Sequence, residues 1–134
     1  MEQLQFKYND GGRSAYFKAK DVDDCVTRSF SIATGRDYKE VYDMIFKVSG
    51  KTPRNGVSKK DIDKVASILG LTWHPCMTIG SGCKVHLAAG EIPMQGTIVC
   101  NVSKHLTAVI DGVINDTFNP DRGGTRCVYG YWTL

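Results

Sequence analysis

At 134 residues with 42% hydrophobic content, the chain has the size of one ordinary domain and enough apolar side chain for one core, so a single domain over residues 1–134 is expected. Its formal charge of +3 arises from 17 basic and 14 acidic residues scattered along the whole length. That distribution lacks the basic stripe that neutralises a phosphate backbone, and no apolar run approaches the ~20 residues of a membrane helix, so neither nucleic acid nor a bilayer is the expected partner.

In chain order, apolar stretches at 4–8 and 15–18 flank Asn9, Asp10, Gly11 and Gly12, residues that tolerate positive φ, which predicts an N-terminal β-hairpin. A first helix is predicted over 24–34, opened by Asp24 as the cap of its free amides and closed by Gly35, with Val26, Phe30 and Ala33 as the apolar stripe. Cys25 then lies in its first turn. Asp37 followed by Glu40 opens a second helix with Val41, Met44, Ile45 and Val48 at helical spacing up to Gly50. A third runs over 58–69, where Ile62, Val65, Ala66 and Leu69 form the buried face before Gly70.

Beyond Leu71 the pattern changes to short β-branched and aromatic runs at 71–77, 97–102, 105–110, 113–118 and 127–132. Helices followed by a block of strands predict an α+β fold in which N-terminal helices pack on one face of an antiparallel sheet formed mostly by the C-terminal half. Asp111-Gly112 is a strong two-residue turn. It sets a register in which Ile110 faces Val113, Ala108 faces Asn115, Thr107 faces Asp116 and His105 faces Phe118. His105 and Asp116 then share a face as diagonal neighbours, roughly 7 to 8 Å apart at the backbone, within reach of a side-chain hydrogen bond. A slip of one residue puts Asn115 there instead.

Cys25, His105 and Asp116, with Asn115 as the alternate, are the residue types a thiol nucleophile needs: a sulfur to attack, an imidazole to carry its proton and a carboxylate or amide to orient the ring. A helix N-terminus favours the thiolate, and the Cys25 amide is placed to meet a developing oxyanion. Carboxylates at Asp21, Asp23 and Asp24 work against a thiolate unless they are turned away or used as caps.

The runs Asp23-Asp24-Cys25-Val26-Thr27-Arg28-Ser29, Ser103-Lys104-His105-Leu106-Thr107-Ala108-Val109 and Asn115-Asp116-Thr117 resemble the papain-like cysteine peptidase superfamily in its compact forms. The likeness is to bacteriocin-leader peptidase-like and cell-wall endopeptidase-like domains and to small proteins that bacteriophages encode. It implies a papain-like fold and a cysteine hydrolase or acyl-transfer activity on a peptide or protein substrate. Cys25 would be the nucleophile, His105 the general base and acid, and Asp116 the orienter, with no cofactor. Many relatives carry a Gln six residues before the Cys, and here that position is Ala19. The alternative is a papain-like scaffold without catalysis, used as a binding module or as a phage-encoded inhibitor of a host factor.

Five cysteines at 25, 76, 83, 100 and 127 form an odd, irregular set, and no export signal is recognisable, which together predict free thiols and a cytoplasmic location, the host's if the chain is phage-encoded. His74, Cys76, Cys83 and His86 have ligand-like spacing for zinc but lack the paired-Cys knuckle, so core or surface thiols are the expectation and no metal site is assigned. Arg122 and Arg126 flank Gly123-Gly124 just after Asp116 and are candidates for holding an anionic part of a substrate. In the last strand, alternation puts Tyr129 and Tyr131 on one face and Val128 and Trp132 on the other.

Overall fold

A computed structural model describes residues 2–18, 23–54, 56–78 and 80–134. Among them are three helices, α1 (Cys25–Thr34), α2 (Tyr38–Ser49) and α3 (Lys59–Ile68). Six strands accompany them: β1 (Gln5–Tyr8), β2 (Thr72–Pro75), β3 (Thr97–Val102), β4 (His105–Ile110), β5 (Val113–Asp116) and β6 (Val128–Thr133). The fold is α+β. The helices stop where the sequence says they should, because Gly35 and Gly50 both take φ of 72° just past the last turn. Asp37 caps α2 by accepting from the Lys39 amide, and Ser58 caps α3 by accepting from the Asp61 amide.

The strands form one sheet in the order β1-β5-β4-β3-β6-β2. One face carries Val99, Leu106 and Trp132 and is covered by Val26, Phe30, Val41, Ile45 and Val65 from the three helices. Phe30 meets Trp132 edge to face at 5.7 Å. The other face carries Ile98, Cys100, Val109 and Ile114, and its cover comes from irregular chain: Leu4 together with Leu87 and Ile92 of the segment between β2 and β3. The Asp111-Gly112 turn closes β4 onto β5 with Ile110 opposite Val113 and Ala108 opposite Asn115. Both turn residues have positive φ, 49° and 77°, the conformation that pairs a two-residue turn with the right-handed twist of its strands.

Four expectations need correction. The N-terminal hairpin does not form: β1 pairs in parallel with β5, from Gln5 opposite Val113 to Tyr8 opposite Asp116, so the sheet is mixed rather than antiparallel. Residues 15–18 are no strand; a 3-10 turn over Arg13–Ala15 follows instead, because the Asp10 carboxylate accepts from the amides of Gly12 and Ser14 and winds the chain inward. Along β6 the strict alternation fails. Asn101 faces Gly130 while Val102 faces Val128, so Tyr129 is bulged out, and Val128 and Trp132 end on opposite faces of the sheet.

The fourth correction concerns the thiols. Cys83 and Cys127 are joined as a disulfide, with Cα atoms 5.7 Å apart beside a bridge between His86 and Cys127. Spacing along the chain could not show that pairing, because the fold brings together residues separated by 44 positions. A further correction, to Asp24 as the predicted cap of α1, belongs to the site.

Candidate functional site

Cys25 opens α1, His105 opens β4 and Asp116 closes β5, so all three stand at one end of the sheet. Ser29, one turn into α1, donates to the Leu106 carbonyl at 3.0 Å and pins that helix over the start of β4. His105 Nε2 lies 2.8 Å from Asp116 Oδ2, which also accepts from the Thr107 hydroxyl at 2.7 Å. Asp116 Oδ1 accepts from the Thr117 amide at 2.7 Å and from Arg28 at 3.1 Å. With both oxygens doubly engaged the carboxylate is fixed in place. Cys25 lines the same cleft as His105, and since Nε2 is committed to Asp116, Nδ1 is the ring nitrogen left for the sulfur.

Electrostatics follow from these contacts. Burial alone pulls the His105 pKa down, but the hydrogen bond to Asp116 and the contact and charge of Cys25 outweigh it and lift it to about 9. Burial alone would raise Asp116; the His105 hydrogen bond and charge, Thr107 and Arg28 hold it below the usual carboxylate value. Arg28 loses hydration on burial, yet Asp24, Asp116 and Cys25 around it raise its pKa further. The state at neutral pH is an imidazolium against a carboxylate, with a guanidinium alongside.

Asp24 does not cap α1 as predicted. Its buried carboxylate is taken by stronger partners: Oδ1 by Arg13 at 3.1 Å and by Arg28, and Oδ2 by the Tyr38 hydroxyl at 2.8 Å. Two guanidinium groups thus neutralise the carboxylate that threatened the thiolate, and the first-turn amides are left uncapped by it. Arg13 arrives because Gly11 crosses α1 so closely that a Cβ there would sit 3.1 Å from the Arg28 Cα and carbonyl, at a φ of 69° that favours glycine.

The remaining candidates lie elsewhere. Asn115 is opposite Ala108, accepts from Asn9 at 3.2 Å and donates to the Val113 carbonyl, turned away from His105. Arg126 ties its loop to the Pro120 and Ser103 carbonyls, and Arg122 is exposed; neither lines the cleft at Cys25. His74 bonds Thr133, His86 bonds Glu91 and Cys83 is in the disulfide, so the zinc-like set does not gather. Among the described residues no group of three or more potential ligands converges. Ala19 and Asp21 lie outside the described residues.

The residues that sequence reasoning missed are Arg13, Arg28, Thr107 and Tyr38. Two had a signal: Arg28 is four residues after Asp24 on a helix, and Thr107 is two after His105 on a strand. No helix among the described residues is long and apolar enough to cross a membrane. In comparisons with known proteins, no family model, no curated protein and no solved structure matches this chain.

Proposed function

We propose that the chain is a cysteine hydrolase, or a related acyl-transfer enzyme, of papain-like arrangement that acts on a peptide-like bond. The observation that carries this reading is the 2.8 Å contact between His105 Nε2 and Asp116 Oδ2 on a ring that lines the same cleft as Cys25. In this reaction the Cys25 sulfur attacks the carbonyl carbon, a C–S bond forms, and the oxyanion is met by the Cys25 amide. The C–N bond then breaks as the His105 imidazolium gives its proton to the leaving amine. Water next attacks the thioester, passes a proton to His105 and releases the acid, restoring the sulfur. Asp116 holds the ring throughout.

The papain-like assignment rests on the sequence resemblance, supported by a cysteine-bearing helix laid against strands that bear His and Asp; the cytoplasmic expectation rested on free thiols, and the Cys83–Cys127 disulfide removes that support. A second reading, a scaffold that binds without turning over, is favoured by one observation: Cys25 is only 7% exposed. Alkylation separates them. The rate of iodoacetamide labelling at Cys25, followed by mass spectrometry from pH 5 to 9, is expected to exceed that at Cys76 by about tenfold or more at pH 6 to 7 and to lose this advantage in His105→Ala. Equal labelling of Cys25 and Cys76 rejects the hydrolase and leaves the scaffold.

A further inference from the structure

Cys25 and His105 line two depressions, not one. The larger, about 860 Å³, has Tyr8, Phe17 and Phe118 in its wall; the smaller, about 400 Å³, is walled by Val57, Ile62, Lys59 and Lys104. Asp23, at the crossing, lines both. A site for a chain terminus is closed on one side of its nucleophile, whereas among the described residues both depressions reach Cys25. The larger side also carries Asp10, Arg13 and the exposed Lys18, but it is the one with a broad apolar wall. Tyr8 and Phe118 are 62% and 51% exposed, large apolar areas for a cleft wall, and the Phe118 ring sits 5.0 Å from the His105 ring.

On the smaller side the cations are unequal. Lys59 lies over the Trp73 and Trp132 rings and is paired with Asp63 at 2.8 Å. Lys104 is exposed in the β3–β4 turn, next to His105, and has no ion-pair partner among the described residues. An anionic group entering the smaller depression would therefore meet a cation without having to displace a carboxylate from it.

Resting on the hydrolase reading, we propose that the substrate is an extended polypeptide cut at an internal bond, with an aromatic or large apolar side chain against Tyr8 and Phe118 and an acidic side chain on the other side of the bond, against Lys104. The chemistry at the bond is the thioester route given above, with the C–N bond of an internal residue broken and one water consumed.

The test uses pools of random decapeptides, either acetylated and amidated at their ends or left free, with products sequenced by mass spectrometry. Cutting inside capped peptides is expected, with Asp or Glu enriched on one side of the cut and Phe, Tyr or Trp on the other. In Lys104→Glu the preference for acidic over basic peptides of matched sequence should invert, and in Lys104→Gln it should fall toward equality, a ratio read within each variant and so independent of how much active protein is present. Three results overturn the proposal: cutting of free-ended peptides alone, which would make the site an exopeptidase with Asp23 holding the terminal ammonium; an acidic preference unchanged in both Lys104 variants; or no cutting by a protein whose Cys25 alkylates rapidly. The last leaves the thiol chemistry standing, whereas failure of the alkylation test removes the hydrolase itself.

Discussion

Arg28 is the side chain on which the site's geometry turns. One of its nitrogens binds Asp24, next to Cys25 in the chain, and the other binds Asp116, the partner of His105, so a single planar fork joins the helix carrying the sulfur to the strand carrying the carboxylate. A lysine keeps the charge but has one nitrogen in place of the fork. Arg28→Lys is expected to slow Cys25 alkylation at pH 7 by about tenfold while keeping much of the stability, and Arg28→Gln, which leaves two buried carboxylates short of a partner, to cost about 3 kcal/mol in urea unfolding. A lysine variant that labels at the parent rate would show that Arg28 merely fills space. The pairing of His105 with Asp116 was legible because the two-residue turn and strand alternation put both on one face, whereas the approach of Cys25 was not, since nothing along the chain places a helix against the sheet. Arg13 and Tyr38 were not, since nothing local says that a loop arginine and a helix-opening tyrosine converge on Asp24. The same blindness made Asp24 look like a cap: its type fits that role, and only the fold supplies the stronger donors.

Among the elements, those read correctly are set by short-range rules. A two-residue turn leaves β4 and β5 one register, and Ser or Asp before an apolar helical stripe starts α2 and α3 with little competition. Those read wrongly depend on distant partners. Asn9 to Gly12 does reverse the chain, but the turn motif cannot say that Tyr8 pairs with Asp116 or that Asn9 donates its amide to the Asp116 carbonyl at 2.8 Å. The bulge at Tyr129 is likewise invisible to counting by twos. The segment between β2 and β3 has little regular structure, yet it covers one face of the sheet, and the Cys83 to Cys127 disulfide anchors it. Closing a loop of that size is worth about 3 to 4 kcal/mol, so reduction should lower the urea midpoint of the parent by that equivalent. Cys83→Ser combined with Cys127→Ser should match the reduced parent and ignore reductant. A parent whose midpoint is the same with and without reductant would show that packing by Leu87 and Ile92 holds the segment without the bond.

For the molecule as a whole, the charged cluster makes stability depend on pH from both sides. His105 titrates at about 9 in the folded chain against an ordinary value near 6.5, so its contribution is complete below about 6.5 and disappears as the pH rises through 9. Asp116 is lowered, so its contribution is present above about 4 and is lost on acidification through its folded value. Both describe one ion pair and count once, about 3 kcal/mol in order of magnitude. Chemical denaturation across pH 4 to 10 should show a plateau from about 5 to 6.5 and a decline toward 9 that His105→Gln removes. A parent curve that stays flat from 6.5 to 9 contradicts the imidazolium. The five cysteine sulfurs also have very different fates. Two are oxidised to each other, Cys100 is walled in with burial pushing its thiol far up, and burial raises Cys76 as well, which leaves Cys25 the sulfur that lines the cleft. On the hydrolase reading Cys25 is the thiol that electrophiles address first, so a library of weak covalent fragments, weighed as adducts of the intact chain, would map what the groove accepts, with adducts at the more exposed Cys76 as the background.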